Sequence, residues 1–132
     1  MSRLYDIDAA NARLVEVRPL LEALRLARDE LAETQRTLLL LRESNGSSDH
    51  AEEVGRRERQ IRVLVGQMKK AVIRLEAWDI TLRDIGIGLV DFPALANGRP
   101  IWLCWRLGDG DVDWWHETSE GFGGRKPLSE LT

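Results

Sequence analysis

Apolar residues recur along the first third of the chain at the spacing of one helix face. Val17, Leu24, Leu31 and Leu38 stand seven apart, with Leu20, Ala27, Thr34 and Leu41 three residues after each. A 3.5-residue repeat held over about four heptads predicts a coiled-coil seam. Asp6 can accept a backbone N–H as the N-cap of this helix, and Asp8 suits its positive end. Pro19 lacks an N–H and crowds the preceding turn, so a kink or break is expected near Glu16–Arg18. Asn45-Gly46-Ser47-Ser48 is turn chemistry, with Gly46 available for a left-handed cap. A second helix is then expected from Asp49 as N-cap, with Glu52 completing a capping-box-like pair. Its repeat places Val54, Ile61, Met68 and Leu75 in one set and Arg57, Leu64 and Ala71 in the other, ending near Ala77. A loop this short makes the two helices antiparallel neighbours.

From Trp78 the pattern changes. All five tryptophans and eight of the eleven glycines fall in this second part, which reads as strands and tight turns. Ile80–Arg83 is a short strand candidate. Leu89–Phe92 is a stronger one, ended by Pro93, which cannot donate to a ladder. Ala96-Asn97-Gly98-Arg99 turns the chain, and Ile101–Arg106 and Val112–Glu117 form the main hairpin. A two-residue turn at Asp109-Gly110 sets Cys104 opposite Trp115. One face then carries Trp102, Cys104, Arg106, Asp113, Trp115 and Glu117. The other carries Ile101, Leu103, Trp105, Leu107, Val112, Trp114 and His116, and packs on the helices. An odd-numbered loop with a bulge at Gly110 instead brings His116 to the face of Cys104. The stretch Gly121–Arg125 reads as a closing loop, or as an anion-binding nest of backbone amides with Arg125 as counter-charge. The fold class is therefore α+β: a long antiparallel, coiled-coil-like helical hairpin (1–77) carrying a small C-terminal antiparallel β-meander (78–132), together one structural domain.

Charge narrows the function. Nineteen basic against 22 acidic residues leave a net charge of -3, which gives no basis for nucleic-acid binding. The first 77 residues sum to +1 and the remainder to -4. No apolar run is long enough to span a bilayer, and the N-terminus lacks the apolar core of a secretory signal. A single cysteine, Cys104, fits a reducing cytoplasm. The basic run on the second helix, from Arg56 to Arg74, reads as a solvated face, with a surface for phosphate or an acidic partner as the alternative. Leucines exceed what one seam can hide. Leu38-Leu39-Leu40-Leu41 sweeps about 300° around its helix, and Leu21, Val65 and Val72 also lie outside the seam. These seven residues are the candidates for self-association as a homodimer through the helices. The expected function is accordingly a non-enzymatic interaction or scaffold protein.

The alternative is a small-molecule or metal-binding protein, with a site on the sheet around Cys104, Arg106, His116 and Glu117. Cys104 and His116 are the residue types of a thiolate and its base, with Asp91 or Glu117 to orient the ring. The same residues could ligate a metal, although no ligand spacing along the chain signals one. Trp102, Trp114 and Trp115 are read as core, as a protein contact or as a stacking surface for a ligand. Neither a phosphate loop nor a dinucleotide glycine motif is present, and no cofactor is expected.

The order Gly88-Leu89-Val90-Asp91-Phe92-Pro93-Ala94, Leu103-Cys104-Trp105-Arg106-Leu107-Gly108, Trp115-His116-Glu117 and Gly121-Phe122-Gly123-Gly124-Arg125 resembles the prokaryotic family known as domain of unknown function 2203. Tyr5–Asn11 with Pro19-Leu20-Leu21 is similar to that family's opening helix. The resemblance implies a small cytoplasmic protein built as a helical hairpin with a β appendage, with no assigned activity. It makes Asp91, Cys104, Trp105, Arg106, Trp115, His116, Glu117 and Arg125 candidates for a shared site. Trp78-Asp79 departs from the pattern, since a glycine commonly leads into the first strand there.

Overall fold

The computed structural model describes residues 3–44, 46 and 48–131. Helix α1 runs Ile7–Glu43 and α2 runs Ser48–Ala77; they pack side by side as an antiparallel pair. Asp6 caps α1, its carboxylate accepting the Ala9 N–H at 2.7 Å. Contrary to expectation, α1 continues through Pro19 as one 37-residue helix. Proline frees the carbonyl of Val15, and Val15 is 76% exposed, so water can take that acceptor. Ser44 closes α1, with its hydroxyl and N–H both donating to the Leu41 carbonyl. The Gly46 turn is flanked by Asn45 and Ser47, which lie outside the described residues. Because α2 begins at Ser48, Asp49 sits in its first turn rather than at the cap.

The end of α2 explains how the chain enters the sheet without the usual glycine. Asp79 adopts a left-handed φ of 60°. Its N–H donates to the Glu76 carbonyl and that of Ile80 to the Leu75 carbonyl, both at 2.9 Å. These two bonds form a Schellman cap, and the accompanying contact comes from Leu75 and Ile80, both fully buried.

Five antiparallel strands follow in sequential order: β1 Thr81–Asp84, β2 Leu89–Ala96, β3 Arg99–Arg106, β4 Trp114–Glu117 and β5 Lys126–Pro127. The short β5 was not anticipated; two residues with one proline carry no alternation to detect. Nor does Pro93 end its strand. Its carbonyl points away from β3 and accepts the Tyr5 N–H at 2.8 Å. The missing N–H faces that same edge, past the end of β1, so no β2–β3 bond is lost. Between β2 and β3, Asn97 (φ 53°) and Gly98 (φ 81°) make a two-residue turn of the primed type.

The β3–β4 register corrects the two-residue turn at Asp109-Gly110. Cys104 pairs with Trp114, not Trp115, and Trp102 pairs with His116. The connection is longer because its polar groups are held elsewhere. The Asp109 carboxylate accepts the Arg106 N–H and an Arg125 N–H, the Gly110 carbonyl accepts the Trp105 indole N–H, and the Asn11 side chain takes the Val112 N–H. The left-handed residue in this loop is Gly108.

This one-residue change regroups the faces. Val90, Phe92, Ala94, Ile101, Leu103, Trp105 and Trp115 face the helices, joined by Val112. They bury against Tyr5, Ala10, Leu14, Val17, Leu21 and Leu24 on α1 and Leu75 on α2. Trp114 and His116 therefore leave the helix-packing face to which a two-residue turn would assign them. Leu21 and Leu38 are buried within the chain, which removes them from the self-association set. Beyond Ala27 the hairpin stands clear of this core. There Leu31, Leu41, Val54 and Ile61 are half-buried, while Leu39 and Leu40 are exposed; nearer the sheet, Val65 and Val72 are half-buried and Met68 packs against the core.

Candidate functional site

The sheet face turned away from the helices carries the chemistry. Asp91 lies mid-β2 directly across from Cys104 on β3, and His116 lies one strand further on β4. Asp91 and His116 thus reach toward each other over β3, and the small side chain of Cys104 leaves them room to do so. His116 Nε2 stands 3.0 and 3.1 Å from the two Asp91 oxygens. One ligating atom from each of Asp91, Cys104 and His116 lies within 4.8 Å of the others. All three residues are buried, at 1%, 0% and 2% exposure.

Hydrogen bonding fixes where the protons are. His116 Nδ1 lies 2.8 Å from the Glu117 carbonyl, which can only accept, so Nδ1 carries a hydrogen. Nε2 faces a carboxylate, and one proton must lie between them. Asp91 has a further partner in Arg83, whose Nε donates to Oδ2 at 2.8 Å. Arg83 sits where the β1–β2 pairing is irregular, between Leu82 and Asp84, and its guanidinium also stacks on Trp102. A buried carboxylate with a charged donor and an imidazole at hand is satisfied rather than stranded.

Cys104 has a different character. Burial pushes its thiol pKa up to about 12, the Asp91 charge adds to the rise, and Arg125 beside it opposes only in part. A thiol held protonated in this way is a poor nucleophile at neutral pH, which argues against the Cys–His catalytic pair.

A lid covers this face. Phe122–Gly124 forms a single 3-10 turn, so the closing loop expected at Gly121–Arg125 is partly helical. Arg125 stacks on Trp114 and Phe122, donates to Asp109 at 3.0 Å, and shares Phe122 with Arg106. Between lid and sheet lies a cavity of about 240 Å³ lined by Arg83, Leu89, Asp91, His116, Thr118, Glu120, Gly121 and Phe122.

Of the eight candidate residues, Asp91, Cys104, Arg106, His116 and Arg125 share this face. Trp105 and Trp115 do not: both lie in the core on the helix side. Glu117 stands at the rim, its carboxylate held by Arg99 and its backbone carbonyl by His116. Arg83, Asp109 and Phe122 were missed. Arg83 owes its place to the irregular β1–β2 pairing, which has no local signature, whereas Phe122 between glycines was a visible lid signal.

The fold and site define a class: a two-helix hairpin on a five-stranded meander whose outer face holds a buried Asp–Cys–His cluster. The family model described as an uncharacterized conserved protein, DUF2203, matches residues 3–128, and the chain belongs to that family. No curated protein and no solved structure matches. Among the described residues, no helix is long and apolar enough to cross a membrane.

Proposed function

We propose that the protein binds a borderline transition-metal ion of the zinc type through Asp91 Oδ, Cys104 Sγ and His116 Nε2. The observation that carries this reading is the buried convergence of one oxygen, one sulfur and one nitrogen donor within 4.8 Å. That mixed set suits zinc, and three protein ligands leave one position for water or a ligand. The His116 Nδ1–H bond to the Glu117 carbonyl supplies the second-layer support typical of a metal-bound imidazole, orienting Nε2 toward the ion. The metal takes the place of the proton between Asp91 and Nε2 and displaces that of the Cys104 thiol. The cavity borders Asp91 and His116 and so provides access to the fourth position.

The test is metal content together with cobalt substitution. Purified protein is expected to hold about one equivalent of zinc, and the cobalt form to show a thiolate charge-transfer band that Cys104→Ser abolishes while the fold is retained. Sub-stoichiometric metal that zinc addition does not raise, in folded protein, overturns the reading.

A second reading is favoured by a different observation, the seam of half-buried and exposed apolar residues along the hairpin. Two helices alone leave both flanks of that seam open, and a second copy of the chain would cover Leu39, Leu40, Leu41, Val65 and Val72. Light scattering on wild type and on a Leu39→Glu, Leu40→Glu variant decides it: a dimer that the variant dissociates supports this reading, and a monomer at micromolar concentration ends it.

A further inference from the structure

Resting on the metal reading, we infer that the cavity beside the metal position receives a small oxyanion, a carboxylate or phosphate group. Arg83 on the cavity wall holds its charge, Arg106 beside the lining residues Leu89 and Phe122 adds to the positive field, and one of its oxygens reaches the open coordination position.

Three observations carry this. Charge is the first. Three guanidinium groups, Arg83, Arg106 and Arg125, gather around the lid, against the carboxylates of Asp91 and Asp109. Glu120 contributes no surplus, because it pairs with Lys126 at 3.5 Å. One positive charge is left over, and a divalent ion facing a single thiolate adds another.

The second is an orphaned donor. Among the described residues Arg106 Nε is buried without a hydrogen-bond partner, while the side chain as a whole is about 43% exposed; a carboxylate oxygen of Asp109 stands 3.9 Å away. Leaving a buried donor of a charged group unmade is costly, so Nε calls for an acceptor from outside the chain, water or an anion. Arg106 does not itself line the cavity; it lies across the strand pair from Leu89 and stacks on Phe122, and these two residues do, so its charge acts on the cavity from one side chain away. Arg83 binds Asp91 through Nε alone, and its two terminal nitrogens make no hydrogen bond among the described residues.

The third is size. At about 240 Å³ the cavity falls below the range of drug-sized ligand pockets, which begins near 300 Å³. It excludes a nucleotide and fits a small acid. Leu89 and Phe122 supply apolar walls for a short carbon skeleton, while Thr118 offers a hydroxyl. A planar guanidinium fork matches either a carboxylate or a phosphate, so both arms enter the test.

Inorganic phosphate and acetate are titrated separately by calorimetry into the zinc-loaded protein, with metal content measured on the same samples. Wild type is expected to bind at least one of them at a single site, and the arm that binds more tightly identifies the group. With binding compared at matched zinc occupancy, Arg83→Gln is expected to weaken it tenfold or more and Arg106→Met to weaken it by a smaller factor, whereas Arg36→Gln, remote on α1, leaves it unaltered. Two variants are used so that misfolding of one, seen by circular dichroism, still leaves the other as the test. Zinc loading without binding of either anion overturns the inference, as does binding that both variants retain. If zinc fails to load but anion binding depends on Arg106, the metal reading falls and the arginine cavity stands.

Discussion

Replacing Asp91 by alanine removes the acceptor on which both the site and the outer sheet face depend. In metal-free protein the loss has three parts. Arg83 is about 43% exposed and returns to water, so its share is small. His116 Nε2 is left buried and unpaired, which costs about 1–3 kcal/mol. The void left by the carboxyl group adds about 1 kcal/mol at ~24 cal/mol per Å³. The total is about 3 kcal/mol, or a fall in Tm of roughly 12 °C for a domain of this size. Asparagine makes the comparison decisive. Its amide N–H₂ can donate to Nε2 while Nδ1–H stays on the Glu117 carbonyl, so Asp91→Asn is expected to cost about 1 kcal/mol or less. Urea denaturation in the presence of a chelator measures both. Equal losses in the two variants would show that carboxylate charge, rather than satisfaction of the buried ring, governs the site. A loss below 1 kcal/mol for alanine would refute the burial argument altogether.

Further expectations rest on other residues. Cys104 is expected to resist iodoacetamide at pH 8 in the folded, metal-free protein and to react fully in denaturant. Its thiol pKa is raised from 9.0 to about 12 on folding. The unfolded chain ionises first, so the stability difference between wild type and Cys104→Ser should be flat below about pH 9 and decline from there toward 12. Gly88→Ala should cost about 2–4 kcal/mol, since φ is 64° and a Cβ would meet Leu107 Cγ and Cδ1 at 2.6 Å. Asp79→Gly should raise stability by about 0.5–1 kcal/mol by relieving the left-handed strain at the Schellman cap. The Arg3 N–H that Asp79 accepts is exposed, and water replaces it; a lower Tm for this variant would contradict the cap assignment.

Much of the fold is written in local patterns. The heptads of α1 and α2, the Asp6 cap and the Asn97-Gly98 turn each act within a few residues, so each could be read directly. What escaped was set by distant partners. Pro93 stays in its strand because Tyr5, 88 residues earlier, occupies its carbonyl. The β3–β4 register follows from Asn11, Arg125 and the Trp105 indole holding the loop, and no property of Asp109-Gly110 announces them. Candidate chemistry was legible by residue type at Asp91, Cys104 and His116, but only the register decides that they meet. Trp105 and Trp115 look as chemically rich as the site residues, and strand parity alone sends them to the core.

The hydrogen bond from Val112 to Asn11 spans 101 positions. A ribosome therefore releases both helices well before the strands that must cover α1. At ~5–20 residues per second, the 39 residues from Ala77 to His116 take about 2–8 s to polymerise. Throughout that interval Leu14, Val17, Leu21 and Leu24 are greasy and bare on the nascent hairpin. Newly made chains are thus most vulnerable to trapping by chaperones, or by one another on a crowded polysome, just before the meander emerges.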